Sequence, residues 1–271
     1  MTLPFKAVAV DMDGTFLDDR KQYNHEQFEQ ILIEFEKRGV HFIVASGRPY
    51  ARLKQDFKGF ADRMDFVSLN GSRLIIEGKQ AAGYPLKRES VLDLIKDVQS
   101  KYGKIATMVY ETHIAYLNTE VPKADREFLA YFAGRSAEVD AWDELPKDDI
   151  YEITFSLNSE HVHEVEEDFN KKHDDQIAAF ASAGMAIDIN AAGVNKGSGL
   201  KHLLEKMGLT GDDLIAFGDG GNDIDMLKFA KYSYAMANGM EEVKKQAKFI
   251  APANTENGVF KTLQKYLDED K

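Results

Sequence analysis

The sequence predicts an α/β protein: a parallel sheet wound with helices, interrupted by an inserted α+β domain. Three observations carry that prediction. In the first third of the 271 residues, short β-branched apolar runs alternate with amphipathic stretches. The last third repeats the same grammar. The middle, about residues 83–188, changes to strand candidates that come partly as hairpin-like neighbours.

Residues 5–10 (FKAVAV) form a compact apolar run, read as a buried strand. Asn24 can cap a helix in which Phe28, Ile31, Leu32 and Phe35 follow the i, i+3, i+4, i+7 pattern, with Gly39 ending it. Residues 40–45 (VHFIVA) give a second buried strand, Pro49 sits in the first turn of a helix, and residues 65–69 give a third strand. Strand, helix, strand, helix, strand implies βαβ units and a parallel sheet. Near the end, Leu200, Leu203, Leu204 and Met207 mark a helix that Gly208 stops. A strand over 213–217, a helix over 222–230 and a strand over 232–235 follow. Val259, Leu263, Tyr266 and Leu267 line a closing helix.

The middle offers strands over 105–111, 114–117, 150–157, 177–181 and 185–189, with helices over 90–102, 123–132 and 159–173. An antiparallel sheet with helices on one face suits that order. The expected division is therefore 1–82 with 189–271 as one domain and 83–188 as a second, inserted one, the chain crossing twice.

Charge and composition remove several function classes. Asp and Glu number 46 against 34 Lys and Arg, a net charge of −12, which argues against a nucleic-acid partner. With no cysteine there is no disulfide framework, thiolate metal site or cysteine nucleophile. The first apolar stretch is too short for a signal sequence and is interrupted by Asp11 and Asp13, and no run approaches the roughly 18 residues of a membrane span. The expectation is a cytoplasmic protein with no membrane partner; oligomeric state is not legible.

In an open parallel sheet, ligands bind outside the carboxyl ends of the strands. Those ends read Asp11-Met12-Asp13-Gly14-Thr15, Ser46-Gly47-Arg48, Asn70-Gly71 and Gly218-Asp219-Gly220-Gly221-Asn222-Asp223, with Lys196 just before a helix starting at Gly197. Taken singly, each is ordinary: an acidic turn, a surface lysine, a serine capping the helix of Pro49. Together they are not. If the first strand continues, Asp11 and Asp13 project to one side, and Asp219 and Asp223 add two more carboxylates at a second strand end. Four acids at one edge call for a hard divalent cation, and all-oxygen ligation favours Mg²⁺. A lysine, a hydroxyl and helix-start amides beside that cation describe a phosphate pocket.

Two decoys fail. Gly218-x-Gly220 begins a dinucleotide fingerprint but places Asp223 where its third glycine belongs. His161 and His163 stand two apart on an expected helix and so face apart.

In this order, DMDGT (11–15), ASGRP (45–49), Lys196 within GVNKGSG and GDGGNDIDML (218–227) resemble the haloacid dehalogenase-like phosphatases, specifically their Cof-type (type IIB) branch. NGS (70–72) and NGV (257–259) extend the resemblance over nearly the whole chain; Ser46 stands where many relatives have threonine. The resemblance implies a Rossmann-like parallel-sheet core with an inserted cap that selects substrate, acting on a small phosphorylated metabolite such as a sugar phosphate. It implies Asp11 as nucleophile, forming an aspartyl-phosphate, and Asp13 as general acid and base. It further implies Mg²⁺ between the Asp11 carboxylate, the Asp13 carbonyl and Asp219. Phosphate would be held by Ser46, Lys196, Asn222 and the amides near Met12 and Gly47. Asp223 would support either the metal's water shell or Lys196, and Arg48 and Asn70 are the candidate substrate readers. A phosphomutase, returning phosphate to a bound sugar, is the rival within enzymes. A phospho-acceptor like a response-regulator receiver is the rival outside them, though receivers lack the second aspartate.

Overall fold

The computed structural model describes residues 3–157, 162–172, 177–182 and 186–270. His161, the side chain of His163, the ends of the helix expected over 159–173 and the start of the strand expected from Met185 lie outside the described residues. The chain opens with β1 (Ala7–Val10), α1 (His25–Lys37), β2 (His41–Ala45), α2 (Tyr50–Asp56), β3 (Asp65–Ser68), β4 (Arg73–Ile76) and β5 (Lys79–Gly83). Next come α3 (Arg88–Tyr102), β6 (Thr107–Glu111), β7 (Ala115–Asn118), α4 (Lys123–Ala133), β8 (Ser136–Val139), β9 (Ile150–Ser156), α5 (Val162–Lys172), β10 (Ile177–Ser182) and β11 (Ala186–Ala191). It closes with α6 (Lys196–Lys206), β12 (Leu214–Gly218), α7 (Ile224–Phe229), β13 (Tyr232–Met236), α8 (Glu241–Gln246), β14 (Phe249–Ala251) and α9 (Gly258–Glu269).

Two compact units result: Met1–Ser46 with Gly59–Ala81 and Asn195–Lys271, and Gly47–Lys58 with Ala82–Val194. In the first, an eight-stranded sheet runs β14-β13-β12-β1-β2-β3-β4-β5. From β14 to β3 the neighbours are parallel; β4 turns back antiparallel on β3. The helices follow the apolar periodicity. On α1, Phe28, Ile31, Leu32 and Phe35 are buried, and the Asn24 side chain accepts from the Gln27 amide to cap it. The register decides where chemistry can gather: Val10 lies level with both Val44 and Phe217. The residues just beyond those strands, Asp11, Ser46 and Asp219, therefore emerge at one carboxyl edge.

In the second unit, a six-stranded sheet runs β10-β11-β9-β6-β7-β8. It is antiparallel as expected except for β7 and β8, which pair in parallel. One face packs Val109, Ile153, Phe155, Ile187 and Ile189 against α3 and α5, through Val91, Ile95, Val98 and Phe169. Alternation sends Tyr110, Glu152, Thr154, Asp188 and Asn190 to the other face, where all five are also buried. There the Thr154 hydroxyl donates to Asp188 at 2.8 Å and Asn190 Nδ2 to Glu152 at 3.1 Å.

Several expectations shift. The expected return to the first domain at residue 189 falls inside β11, because Ile189 still pairs with Ile153 and Ala191 with Ile177. Residues 47–58 join the second unit: Arg52 donates to the Tyr131 carbonyl at 2.7 Å and Gln55 to that of Gly134 at 3.2 Å. Pro49 precedes α2 as its cap residue, and Ser46 does not cap it. β4, β5, β8, β14 and α8 have no counterpart in the sequence reading; each is short or half-exposed and shows no sustained apolar period.

Candidate active site

Asp11 follows a strand whose four residues are all buried, and its own carboxylate is nearly so, with 8% of the residue exposed. The strand does not continue. Met12 opens a tight turn whose carbonyl accepts from the Phe16 and Leu17 amides at 3.1 and 2.9 Å. The same-side argument for Asp11 and Asp13 therefore lapses. Asp11 pairs with Lys196 at 2.6 Å, and Asp13, half-exposed, pairs with Lys21 at 2.7 Å. Gly14 makes the turn possible: its φ is +82°, and a Cβ there would stand 2.3 Å from an Asp219 oxygen.

Lys196 is the first residue of α6, not the residue before it. Asn195 caps that helix by accepting from the Ser198 amide, and the Ser198 hydroxyl accepts from the Asn195 amide. The ammonium is buried between two carboxylates, 2.6 Å from Asp11 and 2.7 Å from Asp223. The other Asp223 oxygen accepts the amides of Asp219 and Gly220, at 2.9 and 3.0 Å. Asp223 thus contacts Lys196 through one oxygen and two backbone amides through the other. Gly218 lets that carboxylate pack so close, since a Cβ there would lie 2.5 Å from the Asp223 Cβ.

The remaining sequence candidates are placed as follows. Thr15, at the end of the DMDGT motif, donates its hydroxyl to Asp219 at 2.7 Å. Asn222 Nδ2 donates to Asn70 Oδ1 at 3.2 Å, and the Asn70 amide to the Ser46 carbonyl at 3.1 Å. Asn70, Ser46 and Asn222 are thus tied together, with Asn70 in the left-handed region at φ 49°. Gly47 and Arg48 belong to the second unit, where the buried Arg48 guanidinium donates to Asp56 at 2.7 Å. Arg52 donates to the other Asp56 oxygen at 2.9 Å. Asp56 is thus shared by Arg48 and Arg52, one carboxylate against two guanidinium groups. Lys21, Asn195, Asn238 and Asn254 were not singled out from sequence; only the Asn195-x-x-Ser198 spacing carried a signal, that of a capping box.

Electrostatics explains what the cluster can bind. Burial pushes the Asp11 carboxyl up to about 8, with Asp223 and Asp219 adding to the rise and Lys196 opposing it. Burial likewise raises Asp219 to about 6, helped by Asp223 and Asp13 and opposed by the Thr15 hydroxyl and Lys196. Burial alone would lower the Lys196 ammonium, but Asp11 and Asp223 outweigh it and raise it. Oxygens of Asp11, Asp219 and Asp223 lie within 4.8 Å of one another. One lysine cannot neutralise three acids, two of them buried and the third partly so. A hard divalent cation fits this all-oxygen donor set.

The comparisons with known proteins point the same way. Residues 8–263 match the family model described as haloacid dehalogenase-like hydrolase. The chain belongs to that family, in its Cof-type branch. Like its relatives, this haloacid dehalogenase-like hydrolase acts on phosphate monoesters. It is 30% identical over 268 residues to the 5-amino-6-(5-phospho-D-ribitylamino)uracil phosphatase YbjI of Escherichia coli, covering 99% of this chain and 98% of that one. It is 26% identical over 264 residues to the phosphatase of the same name, YcsE, of Bacillus subtilis, covering 97% and 96%. The crystal structure of SMU.1108c from Streptococcus mutans superposes with a TM-score of 0.92 at 34% identity, covering 97% of this chain and 99% of that one. Among the described residues, no helix is long and apolar enough to cross a membrane.

Proposed function

We propose that this hydrolase is a Mg²⁺-dependent phosphatase that cleaves a small phosphomonoester through an aspartyl-phosphate on Asp11, with Asp13 as general acid and base. The observation that carries the reading is the buried triad Asp11–Lys196–Asp223, with Asp219 alongside. A nucleophile must be ionised and aimed at phosphorus, and its attack must be shielded from the charge of the phosphoryl oxygens. Lys196 lies against Asp11 and can meet a phosphoryl oxygen, held to that position by Asp223. The Asp11 and Asp219 carboxylates and the Asp13 carbonyl would hold Mg²⁺, which when bound supplies the positive charge that keeps both acids ionised and draws charge from the phosphoryl group.

An Asp11 oxygen attacks phosphorus as the bond to the leaving oxygen breaks, and Asp13 gives that oxygen its proton. Asp13, now a carboxylate, takes a proton from a water whose oxygen attacks the aspartyl-phosphate, releasing phosphate and restoring both side chains. Ser46, Asn222 and the amides near Met12 and Gly47 are assigned to the phosphate oxygens, Asn70 to orienting Asn222. The second unit is assigned the choice of organic group, a sugar or related polyol. The ribitylaminouracil phosphate named for two relatives is the first substrate to test.

The test uses p-nitrophenyl phosphate. Activity should vanish with EDTA, return with Mg²⁺ and return poorly with Ca²⁺, which prefers a looser, larger shell. Its phenolate leaves without a proton, so Asp13→Asn should release close to one p-nitrophenol per site and then stall, while Asp11→Asn should give no burst. Full activity after exhaustive chelation, or steady turnover by Asp11→Asn, would overturn the reading.

A further inference from the structure

We propose that Asn238 and Asn254 form a clamp that positions the turn carrying Asp13; the inference rests on the reading of Asp13 as general acid given above. Asn238 Nδ2 donates to the Gly14 carbonyl at 2.7 Å. Asn254 Nδ2 donates to the Leu17 carbonyl at 2.9 Å and to an Asp19 carboxylate oxygen at 3.2 Å. The two asparagines are joined to each other, since the Asn254 amide donates to Asn238 Oδ1 at 2.9 Å.

The points they hold are the ones that fix Asp13. Gly14 is its chain neighbour, and Leu17 is its partner in an isolated parallel bridge. Gly14 also has no room for a side chain, because a Cβ there would stand 2.3 Å from an Asp219 carboxylate oxygen. The Thr15 hydroxyl fastens the next residue to that same carboxylate. The turn is thus held by packing against Asp219 and by hydrogen bonds from the two asparagines. A general acid works only within hydrogen-bond reach of the leaving oxygen. A displacement of about 1 Å can cost up to ~10²-fold in rate. Both asparagines are positioning residues: their side-chain bonds go to the turn, to Asp19 just beyond it and to each other.

The test separates a positioning role from a structural one by varying the need for a proton. Leaving-group release in the first turnover is measured for p-nitrophenyl phosphate and for an alkyl phosphate, with wild type, Asn238→Ala, Asn254→Ala and Asp13→Asn. Asn238 is exposed, so its variant should fold even if that of the buried Asn254 does not. Asn238→Ala should slow the alkyl ester about tenfold and the nitrophenyl ester less than about threefold. Inhibition by inorganic phosphate and the melting temperature should stay at wild-type values. Equal losses on both esters, or no loss on either, would overturn the clamp. The control locates the failure. If Asp13→Asn also slows both esters equally, the reading of Asp13 has failed; if it discriminates and Asn238→Ala does not, only the clamp has.

Discussion

Asp11, just past β1, and Glu111, at the end of β6, are two buried carboxylates with opposite surroundings. Burial pushes Asp11 up to about 8 and Glu111 up to about 7. Asp11 has a lysine at 2.6 Å and two further acids around it. Glu111 has Asp148 adding to its rise and Arg88 opposing it, yet neither of its oxygens accepts a hydrogen bond among the described residues. The Arg88 guanidinium is directed instead to the carbonyls of Pro146 and Leu145, at 2.6 and 2.7 Å. A raised carboxyl pKa therefore does not mark an active site. What marks it is a partner set that a phosphate and a cation can complete.

The sharpest way to break that contrast is to neutralise each acid in turn. Asp11→Asn should lower kcat/KM on any phosphomonoester by roughly 10⁴-fold or more, as loss of a nucleophile does. Glu111→Gln should leave it within about twofold, because a perturbed pKa without converging groups supports no chemistry. Comparable losses from both would erase the distinction.

Next in size is the lysine. Removing one member of a buried ion pair leaves the others uncompensated, at a cost of about 3–5 kcal/mol. Lys196→Met should destabilise the metal-free protein by that order in urea titrations. Measured above pH 8, where Asp11 loses its proton, Asp11→Asn in the same chain should recover part of it by deleting one stranded charge. A variant as stable as wild type would mean that Asp11 and Asp223 do not depend on Lys196.

The contrast also explains what sequence could disclose. Asp11, Asp13, Ser46, Asp219 and Asp223 were legible because a parallel sheet brings strand ends to one edge, and each sits within a short run at such an end; Lys196, which opens α6, was legible through its motif. The turn that undid the Asp11/Asp13 parity was not legible, since it depends on Gly14 packing against Asp219, 205 positions away. Asn238 and Asn254 were missed for the same reason. A lone asparagine carries no period, and the turn that each of them holds lies more than 200 positions distant. The boundary expected after residue 188 fell short because the apolar run read as a strand over 185–189 continues as paired strand through Asn190 and Ala191, where no apolar period marks it. The polar face of the second sheet, Thr154 with Asp188 and Glu152 with Asn190, is encoded only by alternation, which says which face but not what it holds.

A subtler probe compares pH values. Folded Asp219 and Asp11 hold protons up to about 6 and about 8, whereas the unfolded chain releases them near 3.8. Between those values the native state binds more protons, so stability falls as pH rises through that window. In chelator, calorimetry should show the melting temperature dropping from pH 5 to pH 8. Mg²⁺ should restore more at pH 8 than at pH 5, since it binds the ionised form. A metal-free protein equally stable at both would contradict the burial assigned to this cluster.

The smallest effect belongs to Glu111, and it isolates burial from chemistry. Its folded carboxyl titrates near 7 against an ordinary 4.5, so the same sign applies: stability is full below about 4.5 and lost as pH passes 7. At pH 5.5 the side chain is largely protonated when folded, and Glu111→Gln, a near-isostere, should change little. At pH 8.5 the wild type must either keep a charge without hydrogen-bond partners inside the second unit or open to hydrate it. The neutral amide avoids that, so the variant should be more stable there by about 1 kcal/mol, the low end of the cost of an unsatisfied buried group. At roughly 2–4 °C per kcal/mol, the difference is readable as a shift in melting temperature. A gain at pH 8.5 that disappears at pH 5.5 identifies the titration of Glu111 as the cause. A gain independent of pH would trace instead to packing, and a loss at pH 8.5 would show that the Glu111 carboxylate has a partner after all, bringing it closer in kind to Asp11.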